Sequence, residues 1–218
     1  MAEIISNFDL IALQEVMNEE GIIKLKEEIE KNSGKWNYII SKNNVGRTTY
    51  KEYYAFIYNE NIEVLNINGF IQMKKICLKE NLMELLLRLI TSILHMLLYI
   101  RISERRNEAL LFDEVYLYFQ KINGIEDDII IAGDFNLPAY DTAFDIYNID
   151  NITYMLNPIQ LTTIGNDGLT SAYDNMLYST TNTNEYFFTG KTFDFTNNNF
   201  SEVRKTISDH LPVYVVLE

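Results

Sequence analysis

Ile129-Ile130-Ile131-Ala132-Gly133-Asp134-Phe135-Asn136 couples a short apolar run to a carboxylate and an amide two residues apart. The run reads as a buried strand, and Gly133 ends it. Far along the chain, Ser208-Asp209-His210-Leu211-Pro212 adds a second carboxylate and an imidazole beside the strand-like stretch Val213 to Leu217. No folding requirement of a soluble domain explains Asp-x-Asn or Asp-His at the mouth of a hydrophobic strand. Together these groups suit metal-assisted cleavage of a phosphodiester, so the chain reads first as an enzyme.

The 218 residues are 47% hydrophobic, enough to bury the core of one large α/β domain, and a single domain spanning residues 1–218 is the expectation. A formal charge of −13 argues against gripping nucleic acid by basic surface alone; a nucleic-acid substrate would need divalent cations to offset the repulsion. The one cysteine, Cys77, excludes an internal disulfide and reads as a small hydrophobe. Met1-Ala2-Glu3-Ile4 leads into a strand-like run without the charged start and apolar core of a signal peptide, so a cytoplasmic protein is expected, with an exported parent as the alternative.

Phe8 to Val16 predicts a buried strand that delivers Glu15 at its carboxyl end, followed by an acidic helix from about Glu19 to Lys31. Trp36 to Ile40 and Tyr53 to Tyr58 read as strands around a polar loop containing Gly46-Arg47. Ser103 to Lys121 is expected to be helical with Ser103 as cap, and Ala172 to Tyr178 and Val213 to Leu217 are the last strands. Alternating strands and helices predict an α/β sandwich.

Phosphodiester hydrolysis requires a cation against developing charge, a group to orient or deprotonate water, and donors to fix the phosphate. Magnesium takes few carboxylates plus water and substrate oxygens, so Glu15 and Asp209 are the candidate metal ligands. Asp134 is the candidate for water, Asn136 for a phosphate oxygen, and His210 for general base or charged phosphate clamp. Asp174, closing Ser171-Ala172-Tyr173-Asp174, is the candidate carboxylate behind His210. Any one of these residues alone is more often a turn former or a solvated edge; the ordered set carries the reading.

Leu13-Gln14-Glu15-Val16, Gly133-Asp134-Phe135-Asn136, Ala172-Tyr173-Asp174 and Ser208-Asp209-His210-Leu211-Pro212 occur in the order seen in the endonuclease/exonuclease/phosphatase superfamily, and the chain resembles a deoxyribonuclease I-like member. The resemblance implies a four-layer α/β sandwich and hydrolysis of DNA with magnesium or manganese, calcium serving as a structural ion. The narrower assignment rests on Gly46-Arg47-Thr48-Thr49-Tyr50-Lys51-Glu52-Tyr53-Tyr54, which is similar to the segment that nuclease branch places in the minor groove. By resemblance Arg47 meets phosphates, Tyr50 packs on sugar and base, and Glu52 supports a catalytic His. DNA is then the substrate, with no stable protein partner and no membrane association.

Two parts of the pattern are missing from the sequence: a first strand carrying an Asn near the metal, and a strand ending in a catalytic His, commonly as His-Ala. Where the latter belongs stands the leucine-rich run Glu80 to Arg101, whose Glu84, Arg88, Thr91, Ser92 and His95 fall at helical spacing. The expectation is an incomplete sandwich in which a buried leucine-rich helix replaces central strands, and weak or absent activity. Codon junctions around Met96 permit His-Ala in a shifted frame, so the expectation is a frameshift between about Gln72 and Arg101 together with a truncated start. Charged residues interrupt the run too often for a membrane span of about 20 apolar residues. The rival functions are a phosphatase or phospholipid phosphodiesterase on the same scaffold, and a non-catalytic remnant that binds membrane or partner through the leucines.

Overall fold

Asn18 starts the first long helix: its side chain accepts a hydrogen bond from the Gly21 amide at 2.9 Å, and Glu19 and Glu20 sit in the first turn, where the helix dipole favours acidic groups. The computed structural model describes residues 1–42, 44, 51–66, 83–88, 93–100, 106, 109–110, 116–117, 120, 129–144, 151–183 and 189–216. The chain divides into two compact units, Met1–Met73 with Lys79–Leu98, and Lys74–Leu78 with Tyr99–Glu218.

In the first unit a short helix α1 (Ala2–Ile5) precedes β1 (Leu10–Val16), α2 (Glu19–Ser33), β2 (Trp36–Ile40) and β3 (Tyr53–Asn59). Gly34, at φ 80°, ends α2 in a conformation that disfavours side chains, so the helix runs to Ser33, two residues beyond the Lys31 predicted from sequence. The three strands form an antiparallel sheet in the order β1-β3-β2, with Leu13 opposite Ala55 and Trp36 opposite Asn59. The central strand β3 is closed off from solvent, Tyr54 through Ile57 each being 0% exposed, as a strand covered on both faces requires. Ile5, Ile29, Trp36 and Ile57 make the buried cluster, with Leu13, Leu25 and Tyr38 packed against it.

Leucine-rich sequence continues this unit as strands, not as the expected helix. After β4 (Glu63–Asn66), Met83–Arg88 forms β5 and Ile93–Ile100 forms β6, paired antiparallel with Glu84 opposite Leu97 and Leu86 opposite His95. A mostly apolar run with a few polar residues fits a helix and a strand alike, so periodicity alone does not separate them. The pairing partner decides, and here each half of the run supplies one to the other.

The second unit holds β7 (Ile129–Asp134), β8 (Ile152–Tyr154), β9 (Asp174–Ser179), the two-residue strands β10 (Lys191–Thr192) and β11 (Val213–Tyr214), and α3 (Phe200–Thr206). Strands β7 and β8 flank β9, all antiparallel. Tyr116 braces this ladder: its hydroxyl donates to the Ile129 carbonyl at 3.0 Å and accepts from the Ser179 amide at 2.9 Å. Phe135, the first residue after β7, meets Phe144 edge to face at 6.0 Å. Of the helix predicted over Ser103 to Lys121, the described residues Arg106, Ala109, Tyr116, Leu117 and Gln120 are helical and Leu110 lies in a turn; Ser103 and the rest are outside the described residues. The mixed α/β architecture with antiparallel sheets is that of the α/β class read from the sequence.

Candidate active site

Strands β7 and β9 run antiparallel in a register that sets Asp134 directly opposite Asp174. Both carboxylates therefore emerge at the same end of the ladder. Gly133, at φ 153°, is the penultimate residue of β7, and the chain then turns through Asn136 at φ 49°, a left-handed conformation that asparagine tolerates better than most residues. That turn folds Asn136 back on Asp134: its amide N–H donates to Oδ1 at 2.8 Å, and its side-chain Nδ2 donates to Oδ2 at 2.7 Å.

Asp174 and His210 meet across 36 residues of sequence, with Oδ2 2.8 Å from Nδ1. The Ser208 hydroxyl accepts from the His210 amide at 3.0 Å, and a bridge between Thr163 and His210 joins the His210 loop to the hairpin before β9. The Asp174 side chain is 11% exposed and that of His210 31%, so the pair is shielded but reachable. Burial alone would depress the imidazole; the hydrogen bond to Asp174 and the charges of Asp174, Asp134 and Asp209 outweigh it and push His210 up to about 9. One ligand atom each from Asp134, Asp174 and His210 lies within 4.8 Å of the others.

Asp209 is exposed, and its backbone carbonyl accepts from the Ile164 amide at 2.7 Å. Glu15 and Glu52 belong to the first unit. Glu15 is exposed, at φ 54°, where the β1–β3 register shifts between Leu13 and Val16. Glu52, 6% exposed, precedes β3. Arg47 and Tyr50 lie outside the described residues. One polar residue at the centre escaped sequence reasoning: Thr162, whose hydroxyl donates to Asp174 Oδ2 at 2.6 Å. Nothing in its local sequence signals this, because the hairpin that returns it to Asp174 is a tertiary feature.

This fold is that of the endonuclease/exonuclease/phosphatase proteins. Solved structures similar to it include an endonuclease/exonuclease/phosphatase family protein from Leptotrichia buccalis (17% identity, TM-score 0.66, covering 100% of this chain and 89% of that one). A mannosyl-6-phosphatase of Bacteroides thetaiotaomicron matches with 15% identity and TM-score 0.64 over 100% of this chain and 88% of that one. D. rerio TDP2, in complex with a single strand DNA product, matches with 13% identity and TM-score 0.62 over 97% and 86%. A protein named deoxyribonuclease from Thioalkalivibrio sp. is 44% identical over 61 residues, which are 28% of this chain and 17% of that protein. No family model matches the sequence.

Proposed function

We propose that this chain hydrolyses phosphate esters with the help of a divalent cation, and that its substrate is the phosphodiester backbone of DNA. The observation that carries the reading is the convergence of Asp134, Asp174 and His210, with the Asn136 amide tied to Asp134. Carboxylate oxygens accommodate magnesium or manganese while leaving room for water and phosphate, and the charged imidazole and the amide are left to meet the phosphate. The sequence and its resemblance alone propose Glu15 and Asp209 as ligands, and a bound cation would supply neutralisation of charge on the phosphoryl oxygens.

The remaining roles belong to the chain's own groups. Asp134 orients the attacking water, and the second Nδ2 proton of Asn136 serves a phosphate oxygen. An imidazole pushed up to about 9 is charged at neutral pH, which favours His210 as a phosphate clamp and proton donor over a resting general base. Asp174 holds the ring by Nδ1 and leaves Nε2 for the substrate. Glu52 as support for a catalytic His, and Arg47 and Tyr50 as DNA contacts, complete the proposal on the strength of the resemblance.

DNA is favoured by the 61-residue match to a protein named deoxyribonuclease and by the DNA product carried by one structural neighbour. A phosphomonoesterase on the same scaffold is the second reading, favoured by the mannosyl-6-phosphatase neighbour. Purified protein with magnesium is expected to nick supercoiled plasmid, with nicking lost on chelation and in His210→Ala. Phosphate release from sugar phosphates without nicking would transfer the reading to the phosphatase. Inertness toward both substrates would refute the hydrolase.

A further inference from the structure

We propose that Thr162 is a positioning residue of this centre, its buried hydroxyl holding the Asp174 carboxylate toward His210. The inference rests on the reading of Asp174 and His210 as hydrolytic machinery. Thr162 is 0% exposed. A hydroxyl has one proton to give and two lone pairs to accept with. The amides of Tyr173 and Asp174 both donate to Thr162 Oγ1, each at 3.1 Å, and take up the lone pairs. The hydroxyl proton is thereby left to be donated.

Two acceptors stand in range, Asp174 Oδ2 at 2.6 Å and the Ser171 carbonyl at 3.3 Å. The shorter, charge-assisted bond to Asp174 takes the proton. That same Oδ2 meets His210 Nδ1 at 2.8 Å, so one carboxylate oxygen receives donors from two separate segments and its side-chain torsions are set between them. The Thr162 backbone reinforces the arrangement: its carbonyl accepts from the Leu211 amide at 2.8 Å, and its own amide donates to the Ser171 carbonyl at 2.7 Å. One residue thus ties the start of β9, which carries Asp174, to the loop that carries His210.

Thr162→Val removes the hydroxyl at nearly constant volume, and Thr162→Ser retains it. In the full chain with magnesium, Thr162→Val is expected to lower kcat for plasmid nicking about 10- to 100-fold at unchanged KM, and Thr162→Ser to stay within about threefold of the parent, the scale typical of groups behind a ligating or reacting residue. In an Asp174→Asn background, Thr162→Val adds no further loss, because its effect passes through that carboxylate. Nuclear magnetic resonance supplies a readout independent of turnover: the hydrogen-bonded Nδ1 proton of His210, assigned by its disappearance in His210→Asn. It is expected to persist in Thr162→Ser and to vanish in Thr162→Val. Should the parent cleave nothing, the hydrolase reading fails while this resonance still decides the role of Thr162. Persistence of the proton in Thr162→Val, or its loss in Thr162→Ser, overturns the proposal. If Thr162→Val does not fold, the parent protein decides: rapid solvent exchange of the Thr162 hydroxyl proton overturns it.

Discussion

His210 is charged because of where it sits. Its ordinary value of 6.5 rises to about 9 in the fold, so the folded state holds the proton more tightly than the unfolded chain does. The stabilisation is therefore fully present below pH 6.5 and is lost as pH rises through 9; its size is on the order of 3 kcal/mol. Urea unfolding of the metal-free protein is expected to give a lower midpoint at pH 9.5 than at pH 6, with the difference reduced in His210→Ala. A pH-independent difference between the parent and that variant would contradict the assignment. Asp174→Asn keeps the shape but removes the charge that orients and stabilises the imidazolium. Its kcat for plasmid nicking is expected to fall about 10²- to 10⁴-fold, the range for acid–base groups.

Among the elements, the hairpin from Thr163 to Thr170 matters more to the centre than its lack of catalytic groups implies. It is pinned by the Ile164–Leu169 bridge, by the Gly165 amide donating to the Gly168 carbonyl at 2.7 Å, and by the Thr163–His210 bridge. A Cβ on Gly165 would lie 2.6 Å from Thr170 Cγ2 and 2.9 Å from the Gly168 carbonyl oxygen. Gly165→Ala is therefore expected to cost about 1–3 kcal/mol by overpacking and to lower nicking with it, measurable as a paired fall in unfolding midpoint and kcat. About half of the described elements were legible locally. Trp36–Ile40 falls on the sequence-predicted bounds, β3 runs one residue past Tyr58 to Asn59, and α2 carries its own start and stop in Asn18 and Gly34. The leucine-rich run was read as a helix because Glu84, Arg88 and His95 recur near helical spacing, and local periodicity does not reveal that its two halves pair with each other.

For the molecule as a whole, the charge of −13 sets an expectation for how the proposed action on DNA responds to salt. A protein that neutralises six or more phosphates with basic side chains loses about 10³-fold or more in affinity between 50 and 200 mM salt. Here contact is expected to depend on the divalent ion, so KM for plasmid at fixed magnesium should rise by less than about tenfold over that range. A steeper dependence would point to a basic surface that the composition conceals. The amino-acid sequence by itself determined the α/β class, about half of the element positions, and the order in which acidic, amide and imidazole groups occur along the chain. These are local properties, written in apolar runs and the residues that close them. The sequence named Asp174 as the carboxylate for His210, and the structure sets the two 2.8 Å apart; only the tertiary structure decided that Thr162 stands behind Asp174 and that the leucine-rich run pairs as strands. Each of those outcomes depends on a partner brought up by strand register or a returning hairpin, and hydrogen bonds between distant segments leave no trace in local composition.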